Sequence, residues 1–280
     1  MLQDIFPYRL HNEYLPNAGL SPDDSSVLVV SRGSEILCRA QNGAFDLPMA
    51  AECDRVQYLI SVDGVRFYMP SENDGVIAEK LEKRGFSFVQ TREIRYLLPE
   101  WLRFGTLTAW QLSVWYRENV YCSGCGGVMK IGTAERSVIC SQCGSVVYPR
   151  INPVVIVGVI RDHKLLLTRY ASGGAYRKYA LVAGYCEAGE TVEQTVCREV
   201  AEETGLHVTG ISYYKSQPWA FSSSLLLGFF CYANGNEQAI ADGNELCEVK
   251  WSSPEEIPLY ENEISLTYDM MSYFKNGFIR

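Results

Sequence analysis

The sequence predicts a mixed α/β fold built in successive parts, and three observations carry that prediction. Apolar runs of strand length alternate with segments of helical spacing along the chain. Four cysteines in two close pairs separate an N-terminal from a C-terminal part. After the second pair the pattern becomes strand, turn, strand and then a long acidic helix. With 280 residues, of which 47% are hydrophobic and 21% charged, the chain has the length of about two domains and an ordinary globular composition.

Residues 1–105 read as a small mixed domain. "SSVLVVSRGSEILCRA" and "VQYLISVDGVRFYMP" have strand-turn-strand patterns, with Gly33 and Asp63-Gly64 at the turns. "GVIAEKLEKRGF" has helical spacing at Val76, Leu81 and the residues between, and Gly85 ends it. No cluster of chemically active side chains appears in this part, which reads as scaffold. A connecting helix is expected over 106–120, with Ala109, Leu112 and Trp115 about one turn apart. A ribbon over 121–150 and a C-terminal domain over 151–280 complete the chain. The latter opens with strands "PVVIVGVI" and "LLLTR", a Gly-rich loop "ASGGAYRK" and strand "YALVAG".

The ribbon holds Cys122, Cys125, Cys140 and Cys143 as C-x2-C, fourteen residues, C-x2-C. Two thiolate pairs at this spacing suit tetrahedral zinc, and Gly124, Gly126 and Gly144 permit the tight turns such a site needs. Four protein ligands leave no position for water, so the zinc is expected to be structural. The other six cysteines stand alone and read as small buried hydrophobes.

The strongest signal is "GYCEAGETVEQTVCREVAEETGL", Gly184 to Leu206. Thr191 and Gln194 have capping-box spacing, and Gly205 is a natural helix stop. Val192, Val196 and Val200 recur every four residues and mark the buried face. Glu199 lies three residues from Glu202 and four from Glu203, so the three carboxylates fall on or near one face. A solvated charged surface is the plainer reading, but like charges that close repel. A hard divalent cation such as Mg2+, which takes oxygen ligands and bridges carboxylates to phosphates, accounts for them better.

This stretch resembles the Nudix box, G-x5-E-x7-R-E-U-x-E-E-x-G-U, and every defined position matches. The resemblance implies an α/β/α sandwich around a mixed sheet and hydrolysis of a nucleoside diphosphate linked to another moiety. It implies Mg2+ or Mn2+ held by Glu199, Glu202 and Glu203 and by the carbonyl of Ala183, with Arg198 holding Glu190 in place. No histidine takes part: His11, His163 and His207 form no nucleophile-base pair.

Three further features resemble the NADH pyrophosphatase branch of that family: the ribbon directly before the box domain, "YPRINP" at 148–153, and "SQPWAFSSS" at 216–224. The last is similar to the branch's S-Q-P-W-P-F-P-x-S signature, with Ala220 and Ser222 in place of two prolines. Their loss removes two fixed φ angles and is expected to loosen the loop. Trp219 and Phe221 offer flat surfaces for bases, with Gln217, Pro218, Ser223 and Ser224 alongside. The resemblance places Tyr185 against the nicotinamide end and Tyr148 on the substrate across a dimer. "DGNELCEVKW" makes Glu245 a further metal ligand, with Glu248 as competitor, and Thr267 is expected to make a backbone contact.

The expected activity is cleavage of NADH or NAD+ to nicotinamide mononucleotide and AMP, with NAD-capped RNA 5′ ends as a second substrate. The alternatives are a broader pyrophosphatase acting on ADP-ribose or other dinucleotides, and a nucleotide-sensing zinc-ribbon protein without turnover. A net charge of −8 argues against a protein held on nucleic acid by bulk electrostatics. No apolar run approaches the ~20 residues of a membrane span, and the first residues lack a basic-then-apolar export pattern, so a cytoplasmic setting is expected, while the resemblance implies a homodimer.

Overall fold

The computed structural model describes residues 1–14, 21–71, 74–171, 178–260 and 262–277. Most of the expected Gly-rich loop, residues 172–177, lies outside them. The chain divides into two compact units, residues 2–150 and residues 151–280 with Met1.

In the first unit the hairpin Val56–Val62 and Val65–Pro70 turns at Asp63-Gly64 and is flanked by Leu10–His11 and Val27–Leu28. A second sheet pairs Ser31–Arg32, Glu35–Gln41, Ala44–Asp46 and Ser87–Gln90, with its first turn at Gly33. The helix Asp74–Glu82 buries Ile77 and Leu81, while Val76 is 71% exposed. Positions 77 and 81 are one turn apart, whereas 76 and 81 fall on different faces, which corrects the expected pairing. The long helix runs Glu100–Glu118, earlier than the expected start at 106. Its N-cap is Pro99 in extended conformation, so the chain is already set to enter a helix at "EWLRF". Ala109, Leu112 and Trp115 are buried as their spacing predicts. The ribbon is a three-stranded antiparallel sheet of Met129–Ile131, Val138–Cys140 and Val146–Val147.

The second unit is a six-stranded mixed sheet with a helix on each face. Its strands are β1 (Asn152–Arg161), β2 (Lys164–Tyr170), β3 (Val182–Tyr185), β4 (Val208–Trp219), β5 (Ser224–Ala233) and β6 (Leu246–Ser252). Their order is β4-β5-β1-β2-β6, with β3 added to β1. β1 runs parallel to β5 from Asn152↔Ser224 to Ile160↔Tyr232, and antiparallel to β3 from Val154↔Tyr185 to Val157↔Val182. Because side chains alternate along a strand, β1 feeds two cores. Val155, Val157 and Val159 pack with Val196 and Val200 of helix α1 (Val192–Thr204). Val154, Ile156 and Ile160 pack with Leu266, Met270 and Phe274 of helix α2 (Leu266–Lys275). A central strand covered on both faces has to be apolar at every position, as "PVVIVGVI" is. Among the described residues no helix is long and apolar enough to cross a membrane.

Candidate active site

The four ribbon cysteines bring their sulfur atoms within 4.8 Å of one another. Cys122 and Cys143 stand 3.7 Å apart and Cys125 and Cys140 3.4 Å apart. Sulfurs on tetrahedral zinc with bonds near 2.3 Å would stand about 3.8 Å apart, so the set fits that ion. Gly126 and Gly144 take left-handed φ values of 74°, and their N–H groups donate to the Cys122 and Cys140 carbonyls. The backbone amides of Gln142 and Cys143 point at the Cys140 sulfur and hold its thiol down to about 6. Gly124, the third glycine expected to form these turns, does not take the left-handed conformation.

Helix α1 carries the acidic box. The Thr191 hydroxyl accepts from the Gln194 amide at 3.2 Å, and the Gln194 side chain accepts from the Thr191 amide at 2.8 Å, which closes the predicted capping box. Gly205 ends the helix at φ 72°. β3 runs beside β1 and sets Gly184 under the helix. A Cβ on Gly184 would collide with the Glu199 carboxylate, so a larger residue here would have to displace that side chain; no unusual φ is involved.

Arg198 organises the carboxylates. Its Nε and Nη2 donate to the two oxygens of Glu190 at 2.6 and 2.9 Å. Nη1 reaches Glu199 at 2.7 Å and Glu202 at 3.0 Å, and Nη2 also reaches the Tyr185 carbonyl at 3.0 Å. The guanidinium holds Glu190 down to about 2, helped by the Glu187 amide. Glu199 is raised above the usual carboxylate range, first by burial and then by Glu202 and Glu245, against the pull of Arg198.

Glu203 is the outlier. It is 4% exposed, and neither carboxylate oxygen has a hydrogen-bond partner. Burial first, then Glu199, Glu245 and Asp242, push it up to about 8, with only a weak opposing influence from the Ala183 backbone. A buried carboxyl without a partner costs stability unless something compensates it. The oxygen-rich surroundings fit a hard divalent cation. The carboxylates are near enough to perturb one another, and Arg198 draws Glu199 and Glu202 toward one nitrogen. Among the described residues the four cysteines are the one group of three or more possible ligands whose atoms all lie within 4.8 Å of one another.

Downstream, exposed Glu245 acts on both Glu199 and Glu203, whereas Glu248 is bound elsewhere, to Arg169 and to the Tyr179 hydroxyl. Asp242 was not singled out from sequence. It accepts from the Glu245 and Leu246 amides, and its own N–H donates to the Glu203 carbonyl, so it shapes the turn that presents Glu245.

The aromatic loop follows β4. Trp219 and Phe221 are both half-buried and meet edge to face, with centroids 4.9 Å apart. Pro218 is exposed and Ala220 is buried. Residues Ala220–Ser222 form a single 3-10 turn that ends at Ser223 in left-handed conformation. Hydrogen bonds hold this turn in the absence of the two prolines. The Ser223 amide donates to the Ala220 carbonyl, the Asn152 amide donates to the Ser223 carbonyl, and both the Asn152 side chain and the Ser224 hydroxyl donate to the Ser222 carbonyl. Asn152, a residue without catalytic character, thus ties the loop to the start of β1. Gln217 requires a correction. Its side chain is 0% exposed and its amide is taken up by the Ile264 carbonyl and the Leu266 N–H, which leaves it no surface for a ligand. Ser224 is buried as well. Tyr185 is half-exposed beside Gly184, and Thr267 is the second residue of α2. Tyr148, in the first unit, is exposed, and its hydroxyl donates to Glu135 at 2.7 Å. The histidines serve elsewhere, His11 with Glu13 and Asp63 and His207 with Glu237.

The NUDIX domain family model matches residues 149–272. The NAD-capped RNA hydrolase NudC of Photobacterium profundum is 39% identical over 154 residues, covering 54% of this chain and 56% of that protein. The NAD-capped RNA hydrolase NudC of Escherichia coli is 40% identical over 152 residues, covering 53% and 57%. The chain thus spans about half the length of the curated relatives it matches. Among solved structures, a NUDIX hydrolase from Nitrosomonas europaea is 26% identical with a TM-score of 0.49, covering 56% of this chain and 92% of that one.

Proposed function

Because residues 149–272 form a NUDIX domain, we propose that this chain hydrolyses the pyrophosphate bond of NADH and NAD+ to nicotinamide mononucleotide and AMP. Removal of NAD caps from RNA is a second use of the same cleavage. The observation that carries the reading is Glu203, a buried carboxyl with no hydrogen-bond partner, beside Glu199 and within the influence of Glu245.

In this reading Glu199, Glu202, Glu203, Glu245 and the Ala183 carbonyl hold Mg2+ or Mn2+. When bound, the ion would polarise the phosphoryl oxygens and neutralise the leaving phosphate. Arg198 keeps Glu190, Glu199 and Glu202 in register, so the carboxylates are oriented before substrate arrives. Trp219 and Phe221 offer stacking surface worth ~1–3 kcal/mol per base, and Tyr185 stands beside the box glycine for the nicotinamide end. The cysteine set holds a structural zinc in a ribbon domain, 121–150. A homodimer, with Tyr148 of the partner subunit reaching the substrate, and a cytoplasmic setting belong to the same proposal.

The test is steady-state hydrolysis of NADH, ADP-ribose and diadenosine compounds with Mg2+ or Mn2+. The proposal expects kcat/KM for NADH to exceed the others by at least about tenfold, a pocket discrimination of ordinary size. Equal rates would replace it with a broader pyrophosphatase, and nucleotide binding without turnover with a sensor.

A further inference from the structure

β4 and α2 are joined along a line of side chains. The Tyr214 hydroxyl and Lys215 Nζ both donate to Asp269, at 2.8 and 3.0 Å, and the Tyr214 ring meets Tyr273 with centroids 4.7 Å apart. On the neighbouring strand, Gly228 lets the helix come close: a Cβ there would stand 2.9 Å from the Met270 sulfur and 3.3 Å from Leu266 Cδ2. Gln217 closes the line at its loop end. Its Nε2 donates to the Ile264 carbonyl at 2.9 Å, and its Oε1 accepts from the Leu266 N–H at 2.6 Å.

Leu266 is the first residue of α2, and the N–H groups of a helix's first turn have no partner within the helix. Gln217 supplies one from another part of the chain, while the Ser265 hydroxyl accepts from the Tyr268 N–H at 3.3 Å. Thr267 lies between these two caps. One buried amide therefore fixes both the start of α2 and the end of β4, two residues before Trp219. Gln217 and Leu266 are both 0% exposed, so breaking the bond between them leaves a buried backbone N–H unsatisfied.

We propose that Gln217 is a positioning residue that locks the Trp219–Phe221 loop to the N-terminal end of α2 and thereby sets affinity for the dinucleotide. It touches no substrate. Its influence passes through the loop's placement and through Thr267, and this part of the inference rests on the substrate assigned above.

Glu in place of Gln separates this role from general destabilisation. A carboxylate at 217 still accepts from Leu266 but sets an oxygen against the Ile264 carbonyl, whereas a protonated carboxyl again donates there. Gln217→Glu should raise KM for NADH about tenfold over wild type at pH 8 and fall within about threefold of it at pH 6, with kcat within about threefold throughout. Gln217→Leu, which removes both bonds, should raise KM at both pH values. Amide hydrogen exchange of residues 219–224 without nucleotide should be faster than wild type in Gln217→Glu at pH 8 and near wild type at pH 6. KM equal to wild type at pH 8, or a rise in KM that does not reverse at pH 6, overturns the proposal. If wild type hydrolyses no dinucleotide, the substrate assignment fails instead, and unchanged exchange of 219–224 in Gln217→Glu at pH 8 then refutes the lock by itself. Should Gln217→Leu fail to fold, Gln217→Glu at the two pH values decides the question.

Discussion

The Glu199 carboxylate occupies the space above Gly184 where any other residue would carry its Cβ. Gly184 pairs with Val155 in the sheet and Glu199 hangs from α1, so the Glu199 side chain fills the space between strand and helix. The first glycine of the box thus leaves room for the Glu199 carboxylate. Gly184→Ala should keep the fold and displace Glu199 by about an ångström, lowering kcat on the order of 10²-fold. An unchanged circular dichroism spectrum together with that loss in a hydrolysis assay checks it.

Glu203 makes stability fall with pH. Its folded-state value is raised from 4.5 to about 8, so between those limits the folded protein keeps a proton that the unfolded chain gives up. Where the folded state binds more protons, unfolding free energy decreases as pH rises. Urea unfolding without divalent ions should therefore show wild type losing stability relative to Glu203→Gln from about pH 5 to about pH 8. At the upper end the variant should be more stable by about 1–3 kcal/mol, since an amide carries no buried charge. The same variant should lose metal-dependent hydrolysis, so that stability and activity move in opposite directions.

Arg198 binds three carboxylates and a carbonyl with one planar fork. Lysine keeps the charge but cannot make the two-point contact with Glu190. Arg198→Lys should lower kcat/KM by about tenfold or more, through misplaced Glu199 and Glu202, with a smaller effect on the thermal midpoint.

Cys143→Ser should abolish binding of one zinc per chain by elemental analysis and destabilise the ribbon. Structural zinc contributes folding free energy directly, about 10–16 kcal/mol in isolated zinc-finger peptides. Chelation of the wild type should lower its thermal midpoint in the same way.

Ala220→Pro should be tolerated. Trp219 before it has φ −128° and ψ 91°, clear of the helical region that a following proline disfavours, and position 220 opens the 3-10 turn. The variant should gain about 0.4–1 kcal/mol by restricting the unfolded chain, read as a shift in the urea midpoint.

What the sequence revealed was local. The capping box at Thr191 and Gln194, the stop at Gly205, the buried Val196 and Val200 and the paired cysteines all rest on spacings within one element, and the structure has them where the pattern puts them. What it concealed is tertiary. Gln217 looked like a ligand contact because it sits in a recognisable signature, but its partners lie at 264 and 266. Asp242 and Asn152 belong to no catalytic pattern, and their work is to hold turns through backbone groups. Val76 was misplaced by counting apolar residues without following the helical angle around to the other face.

The central claim is that the carboxylates around α1 direct a divalent ion to a dinucleotide pyrophosphate. Chromatographic product analysis of NADH incubated with Mg2+ or Mn2+, comparing wild type with Glu199→Gln, tests it most directly. The account predicts AMP and reduced nicotinamide mononucleotide in equal amounts from wild type, none after chelation of the divalent ion, and a loss of about 10²-fold or more in the variant. Intact NADH with wild type, or equal product from Glu199→Gln, would contradict it.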